Sequence, residues 1–283
     1  MMKIAVITDS SAGVSKQEAI DHEIIVARMP LTIDGKEHME EEGISREQLI
    51  QAMKNGSSVS TSQPPLGRLI ELFDDILKTY DHIIFLPISS RLSGTYQTAC
   101  GLAQDYDGRV TVIDSKFVSC PLFLLSLEVK EMIRRDMEPE AIRTLIENEA
   151  DMYASLIPED IIYLKRGGRI TPAAAAIANL LKIVPVLKVA NGEIDLAEKV
   201  RTYKKAVRVG FDLTVADRNK DDYEWIVLDG GCEEKIYNAV VKDLEKHFGV
   251  EVIQRPLYPI VLAHTGPGSI AIAWRKKLIK DKI

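Results

Sequence analysis

Apolar positions in the first half of the chain follow two alternating rhythms. Nearly continuous apolar runs at 3–7 (KIAVI), 24–33, 82–88 (HIIFLPI) and 109–113 (RVTVI) predict strands covered on both faces. Between them, Leu66, Leu69, Ile70, Phe73, Ile76 and Leu77 recur at three- and four-residue spacing, which predicts a helix over 64–79. Pro64 and Pro65 suit its first turn, where a missing N–H costs nothing. Ser15-Lys16-Gln17-Glu18 reads as a capping box opening an earlier helix. Further helices are predicted over 95–105 and 138–150, with a largely buried one over 120–134. Strands alternating with helices predict a mostly parallel sheet flanked by helices.

The rhythm changes near residue 151. Asn191-Gly192 between apolar runs signals a hairpin, because both central residues of a type I′ turn take positive φ. Gly167-Gly168 marks a tight turn in LKRGGRI. A strand at 223–228, a helix at 233–247, a strand at 250–254 and a final helix after Ser269 complete an α+β pattern with a mixed sheet. A chain of 283 residues exceeds what one compact core uses. The expected organisation is therefore two α/β domains, 1–150 and 151–283. Internal repeats, low-complexity tracts and an obvious linker are absent from the sequence.

Three predicted strands run into polar residues: Thr8-Asp9-Ser10-Ser11, Ser89 through Thr95, and Asp114-Ser115. In open parallel sheets the crevice beyond the strands' carboxyl ends is where ligands bind. Three loops carry candidate chemistry: Ser60 through Pro64, Ser93-Gly94-Thr95, and His264 through Ser269. Each is expected to set hydroxyls and free N–H groups at a helix N-terminus, which favours an anion. Any one alone reads as an ordinary N-cap. Three together, one with a histidine, point to a carboxylate or oxyanion site built from Thr61, Ser62, Ser93, Gly94, Thr95, His264 and Thr265.

Charge sharpens this picture. The net charge is −6, which argues against whole-surface attraction to nucleic acid or anionic lipid. Residues 161–210 nevertheless hold ten lysines and arginines against only Glu193, Asp195 and Glu198. Such a cluster is usually a solvated face, but here it also suits an acidic or phosphate-bearing partner. The cysteines, Cys100, Cys120 and Cys232, are odd in number and far apart, as in a reducing cytosol, and read as small core residues. The N-terminus lacks signal-peptide character, and Pro121–Leu127 is too short to span a bilayer. His22, His38, His82 and His247 lack metal-ligand spacing, and no calcium or phosphate loop is complete, so neither a metal nor a cofactor is expected. Ser93, His264 and Asp9 or Asp114 supply the residue types of a serine hydrolase. Ser93 lacks, however, the upstream glycine of a nucleophile elbow. A regulatory anion- or nucleic-acid-binding role through the basic window is the third reading.

ITDSSAGVS (7–15), STSQPP (60–65), ISSRLSGTYQTA (88–99), VIDS (112–115), the RGGRI block (163–189), EKVRTYKKA (198–206) and HTGPGS (264–269) resemble the DegV family in order and spacing. The resemblance implies a cytoplasmic, non-enzymatic carrier with a fatty acid between two domains. The acid's carboxyl end would be gripped by Thr61, Ser93, the Gly94 N–H and His264. It further implies an ATP-binding fatty acid kinase as partner, which converts the bound acid to an acyl phosphate for phospholipid synthesis. Arg169 and Arg201 would then serve in docking or phosphate handling. Contact with a membrane would be transient, without stable insertion. Two stretches depart from the family pattern: Cys120-Pro121-Leu122-Phe123, bulkier than a glycine-containing counterpart, and Leu257-Tyr258-Pro259, where Gly-Pro is common. Both would reshape the apolar cavity.

Overall fold

The structure, a computed structural model, describes residues 2–40, 43–177, 182–216, 218 and 220–279. Residues 178–181 of the RGGRI block lie outside the described residues. In chain order the described strands are β1 (Ile4–Asp9), β2 (Ile25–Ala27), β3 (Pro30–Ile33), β4 (Lys36–Met39), β5 (Val59–Thr61), β6 (His82–Leu86) and β7 (Val110–Val112). They continue as β8 (Met152–Ile157), β9 (Val184–Ala190), β10 (Glu193–Val200), β11 (Tyr223–Gly230), β12 (Ile253–Pro256) and β13 (Ser269–Lys276).

The first sheet is parallel, in the order β2-β1-β6-β7. Its strands are mostly apolar because both faces are covered. Ala5, Ile7, Ile83 and Phe85 face the helices Leu66–Ile76 and Thr95–Ala103, meeting Leu69, Phe73 and Ala99. Their neighbours Val6, Ile84 and Leu86 face the helices Cys120–Arg134 and Pro139–Glu149, meeting Leu125, Val129 and Ile142. That is the two-residue period of a strand expressed as two cores. Pro64 and Pro65 stand just before the first of these helices rather than inside its first turn, with Pro65 at the N-cap.

The apolar run 24–33, predicted as one strand, is two. It breaks at Arg28-Met29, where side chains claim the backbone: the Met29 N–H donates to Ser10 Oγ at 2.8 Å. The Arg28 guanidinium takes the Val14 carbonyl at 2.9 Å. Beyond the break β3 joins β4 and β5 in a small antiparallel sheet that ends at Thr61. The helix Arg46–Lys54, unassigned from the apolar pattern, opens with a capping box between Ser45 and Gln48.

The six-stranded sheet has the order β10-β9-β8-β13-β11-β12 and is mixed: β11 and β12 run parallel, the other neighbours antiparallel. The Asn191-Gly192 hairpin forms as read, both residues at positive φ, 52° and 81°. The segment after Ser269, predicted as a helix, is instead the strand β13. Ser-Ile-Ala-Ile-Ala-Trp alternates with period two. Ile270, Ile272 and Trp274 enter one core with the helices Tyr203–Val215 and Glu234–Phe248, while Ala271 and Ala273 face the other way. That other face, with Ala154, Leu156, Val189 and Leu228, shares one continuous core with residues of the parallel sheet's helices.

Ion pairs tie the parts together. Glu128 meets Arg275 at 2.5 Å, each side chain 4% exposed, and its other oxygen accepts the N–H groups of Leu278 and Ile279. Arg46 reaches Asp229 at 2.9 Å, and Arg255 pairs with Glu18. At the hairpin, Ser89 Oγ donates to the Gly192 carbonyl at 2.8 Å.

Candidate functional site

The carboxyl ends of the parallel strands, the end of β5 and the alanine-bearing face of the large sheet line a cavity. Its wall is aliphatic over most of its extent, with Ile88, Leu92, Ala154, Leu156, Leu228, Ile260 and Ala273 among the lining residues. Thr61, Ser62, Gln63, Ser93, Arg169, His264 and Thr265 supply most of the polar lining.

Thr61, the last residue of β5, lies 2.7 Å through Oγ1 from His264 Nε2, a contact between residues 203 apart in sequence. His264 occupies the last turn of the helix Pro259–Thr265. The HTGPG loop thus follows a helix and leads into β13, contrary to the expectation from the sequence that it opens a helix. Burial, and secondly the nearby Arg169 guanidinium, hold the His264 pKa down at about 4, so the ring is neutral at neutral pH. Its Nδ1 is sealed from solvent and has no hydrogen-bond partner among the described residues.

The RGGRI motif accounts for that sealing. A Cβ on Gly167 would stand 2.2 Å from His264 Nδ1, so only glycine lets the end of the helix Ile162–Gly167 approach the ring. Gly168 then caps this helix in the left-handed region. Arg169 folds back, its guanidinium donating to the Gly167 carbonyl and, at 3.4 Å, to the Leu92 carbonyl. Arg169 therefore lines the cavity beside His264, half-buried. Arg201 does not join it; it is exposed, just past β10, and makes no ion pair with a described residue. Lys165, Arg166, Lys199, Lys204, Lys205 and Arg208 are exposed as well.

Ser93 lines the wall, its Oγ 2.9 Å from Thr95 Oγ1 and accepting the Thr95 N–H at 3.3 Å. Gly94 and Thr95 stand behind it, off the wall, at the start of the helix Thr95–Ala103. Gln63 was not foreseen as a site residue. Its Oε1 accepts the Thr98 hydroxyl at 3.2 Å and would stand 3.0 Å from a Cβ on Gly94, so it joins the TSQP and SGTY loops. Thr265 is buried, with Ser269 Oγ at 3.2 Å from its hydroxyl. The two departures also fall at the cavity. Pro121 and Leu257 line it, while Phe123 and Tyr258 flank Arg255, whose guanidinium lies 5.1 Å from the Phe123 ring centroid.

A hydrolytic triad does not assemble. Asp9 is spent on the Ile88 N–H at 2.8 Å and on Ser11, and burial raises its pKa to about 6. Asp114 binds Ser90. Neither carboxylate reaches His264, and Ser93 and His264 bond to other partners. Burial pushes the Cys120 thiol up to about 12, and likewise Cys232, so neither is a ready nucleophile. Among the described residues no group of three His, Cys, Asp or Glu could hold a metal ion. Among them, too, no helix is long and apolar enough to cross a membrane.

Comparison with known proteins gives a consistent result. A family model described as "Uncharacterised protein, DegV family" matches residues 3–277. A DegV domain-containing protein of Mycoplasmopsis pulmonis is 30% identical, covering 100% of this chain and 98% of its own. Protein DegV of Bacillus subtilis is 30% identical over 96% of this chain and 99% of its own. Among solved structures, a DegV family protein from Thermus thermophilus, described for its fatty acid binding, superposes with a TM-score of 0.86 at 26% identity. The superposition covers 98% of this chain and 100% of that one. Bacillus subtilis DegV, described as a fatty acid binding protein, gives 0.85 at 28% identity with the same coverage.

Proposed function

This chain belongs to the DegV family, and we propose that it holds one long-chain fatty acid and presents its carboxyl group to an ATP-dependent kinase. The observation that carries the binding half is the joining of Thr61, His264 and Arg169 beside an otherwise aliphatic cavity. Burying about fourteen methylenes at ~0.8 kcal/mol each yields a gross gain of about 11 kcal/mol, less the cost of ordering. An unpaired carboxylate in that interior would cost several kcal/mol. Hydroxyls of Thr61, Ser62, Ser93 and Thr265, the neutral imidazole of His264 and the Arg169 guanidinium offset it. Gly94 and Thr95 support the Ser93 loop from behind. No cofactor is required, since the ligand itself is the cargo.

The kinase half rests on the family resemblance and on the exposed cations around Arg201, which suit an acidic partner surface in the cytoplasm. Arg169, at the headgroup, is better placed to meet the transferred phosphoryl group than to dock the partner. In this reading 1–150 and 151–283 act as two domains that meet over the acyl chain. Thr61→Ala and Ser93→Ala test the grip. Each removes one hydroxyl donor to a charged group, a loss of roughly 1.5–3 kcal/mol, or about ten- to a hundredfold in affinity. Unchanged affinity of both variants in a fatty-acid titration would dismiss the assignment.

A further inference from the structure

Asp9, Ser10 and Ser11, at the end of β1, are fully buried and stand off the cavity wall. Each nevertheless suspends one wall residue, and each wall residue belongs to a different connection. Asp9 Oδ2 accepts the Ile88 N–H at 2.8 Å, beyond β6. Ser10 Oγ accepts the Met29 N–H at 2.8 Å, in the break between β2 and β3. The Ser11 carbonyl accepts the Ser119 N–H at 2.9 Å, ahead of the helix Cys120–Arg134. Met29, Ile88 and Ser119 all line the cavity. The triplet is braced internally, since the Ser11 N–H and hydroxyl both donate to Asp9 Oδ1, at 2.9 and 2.5 Å. Ser119 holds φ 61° and ψ −151°, a region that side-chain-bearing residues keep only when the surroundings over-determine it.

We propose that Asp9-Ser10-Ser11 is a positioning triplet. It sets the spacing of three walls of the acyl cavity, and so the preference among acyl shapes, without touching the ligand. The proposal deepens the fatty-acid reading and rests on it. Because the bonds go to main-chain N–H groups, they fix where each wall stands, whatever side chain it carries. Ser10→Ala removes one acceptor and no charge; Asp9→Asn keeps the shape but cannot accept all three donors.

The test is competition between hexadecanoic acid and its cis-monounsaturated counterpart, measured on both variants and on Ile76→Ala. Ile76 lies in the separate core beyond the parallel sheet, off the cavity wall. The ratio of the two affinities should shift about fivefold in each triplet variant, the equivalent of one neutral hydrogen bond. Octanoic acid, held mainly by its carboxyl group, should bind each variant within about twofold of the unmodified protein, and Ile76→Ala should lower Tm with the ratio unchanged. A triplet variant that loses Tm as Ile76→Ala does, yet keeps the original ratio, overturns the proposal. If the unmodified protein binds neither long acid, the fatty-acid reading itself fails. Amide exchange on the unmodified protein decides the matter should the variants not fold. The Met29, Ile88 and Ser119 amides should exchange slowly with and without fatty acid, and fast exchange in the ligand-free protein overturns the role.

Discussion

Gly167→Ala isolates the contact on which the carboxyl grip depends. Gly167 lies in a helix with ordinary φ, so alanine suits its backbone and would by itself raise helix stability by roughly 0.5–1 kcal/mol. The new methyl would stand 2.2 Å from His264 Nδ1 and 3.0 Å from Cε1, well inside van der Waals contact. The ring has to move, and its 2.7 Å contact with Thr61 Oγ1 cannot survive the displacement. Losing that arrangement where a carboxylate is bound should cost roughly 1.5–3 kcal/mol, about ten- to a hundredfold in fatty-acid affinity. Gly168→Ala is the matched control. It meets nothing within 4 Å but holds φ at 66°, so it should cost about 1 kcal/mol of stability and leave affinity unchanged. Calorimetric titration of delipidated protein, with thermal unfolding alongside, reads both quantities. Equal affinity in Gly167→Ala and the unmodified protein would refute the role assigned to His264 and to the RGG motif.

Other consequences are open to measurement. Glu128→Ala strands Arg275 as a charge with one remaining partner, Glu224, and frees two N–H groups; stability should fall by about 3–5 kcal/mol in denaturant titration. Acidification should pull two buried groups in opposite directions. Asp9, raised to about 6, stabilises the fold below the usual carboxylate range and loses that contribution as pH rises through 6. His264, lowered to about 4, stabilises it above 6.5 and loses that contribution as pH falls through 4. Relative to the unmodified protein, Asp9→Asn should therefore gain stability as pH rises from 4 to 7. His264→Gln should gain as pH falls over the same interval, each by about 3 kcal/mol, and parallel curves for all three proteins would contradict both assignments. Arg201→Ala should keep its fatty acid yet lose acyl-phosphate formation with a cognate kinase and ATP; full coupled activity would retire the docking role.

Much of the fold is legible in the chain because local chemistry and tertiary structure agree. The apolar runs of β1, β6 and β7, the face of Leu69, Phe73 and Ile76, and the Asn191-Gly192 turn are all local signals. Misreadings occur where a distant partner decides. The segment after Ser269 is predicted as a helix, yet β8 and β11 pair with its Ile-Ala-Ile-Ala alternation on both sides. The run 24–33 looks continuous until Ser10 removes Met29 from strand pairing. Motif position brought Thr61, Ser93 and His264 forward together. Nothing local, however, says that Arg169 turns inward to the Leu92 carbonyl, or that Gln63 joins two loops. Gln63 can stand where it does because Gly94 has no side chain, as His264 can beside Gly167, and only the assembled structure displays either approach.

The most direct test of the central claim is native mass spectrometry of the freshly purified protein, followed by organic extraction and identification of the released species. One long-chain fatty acid per chain is expected, displaced in the Thr61→Ala/Ser93→Ala double variant under conditions where the unmodified protein retains it. Folded protein that returns no acyl species, even after incubation with a mixture of fatty acids, would contradict the claim.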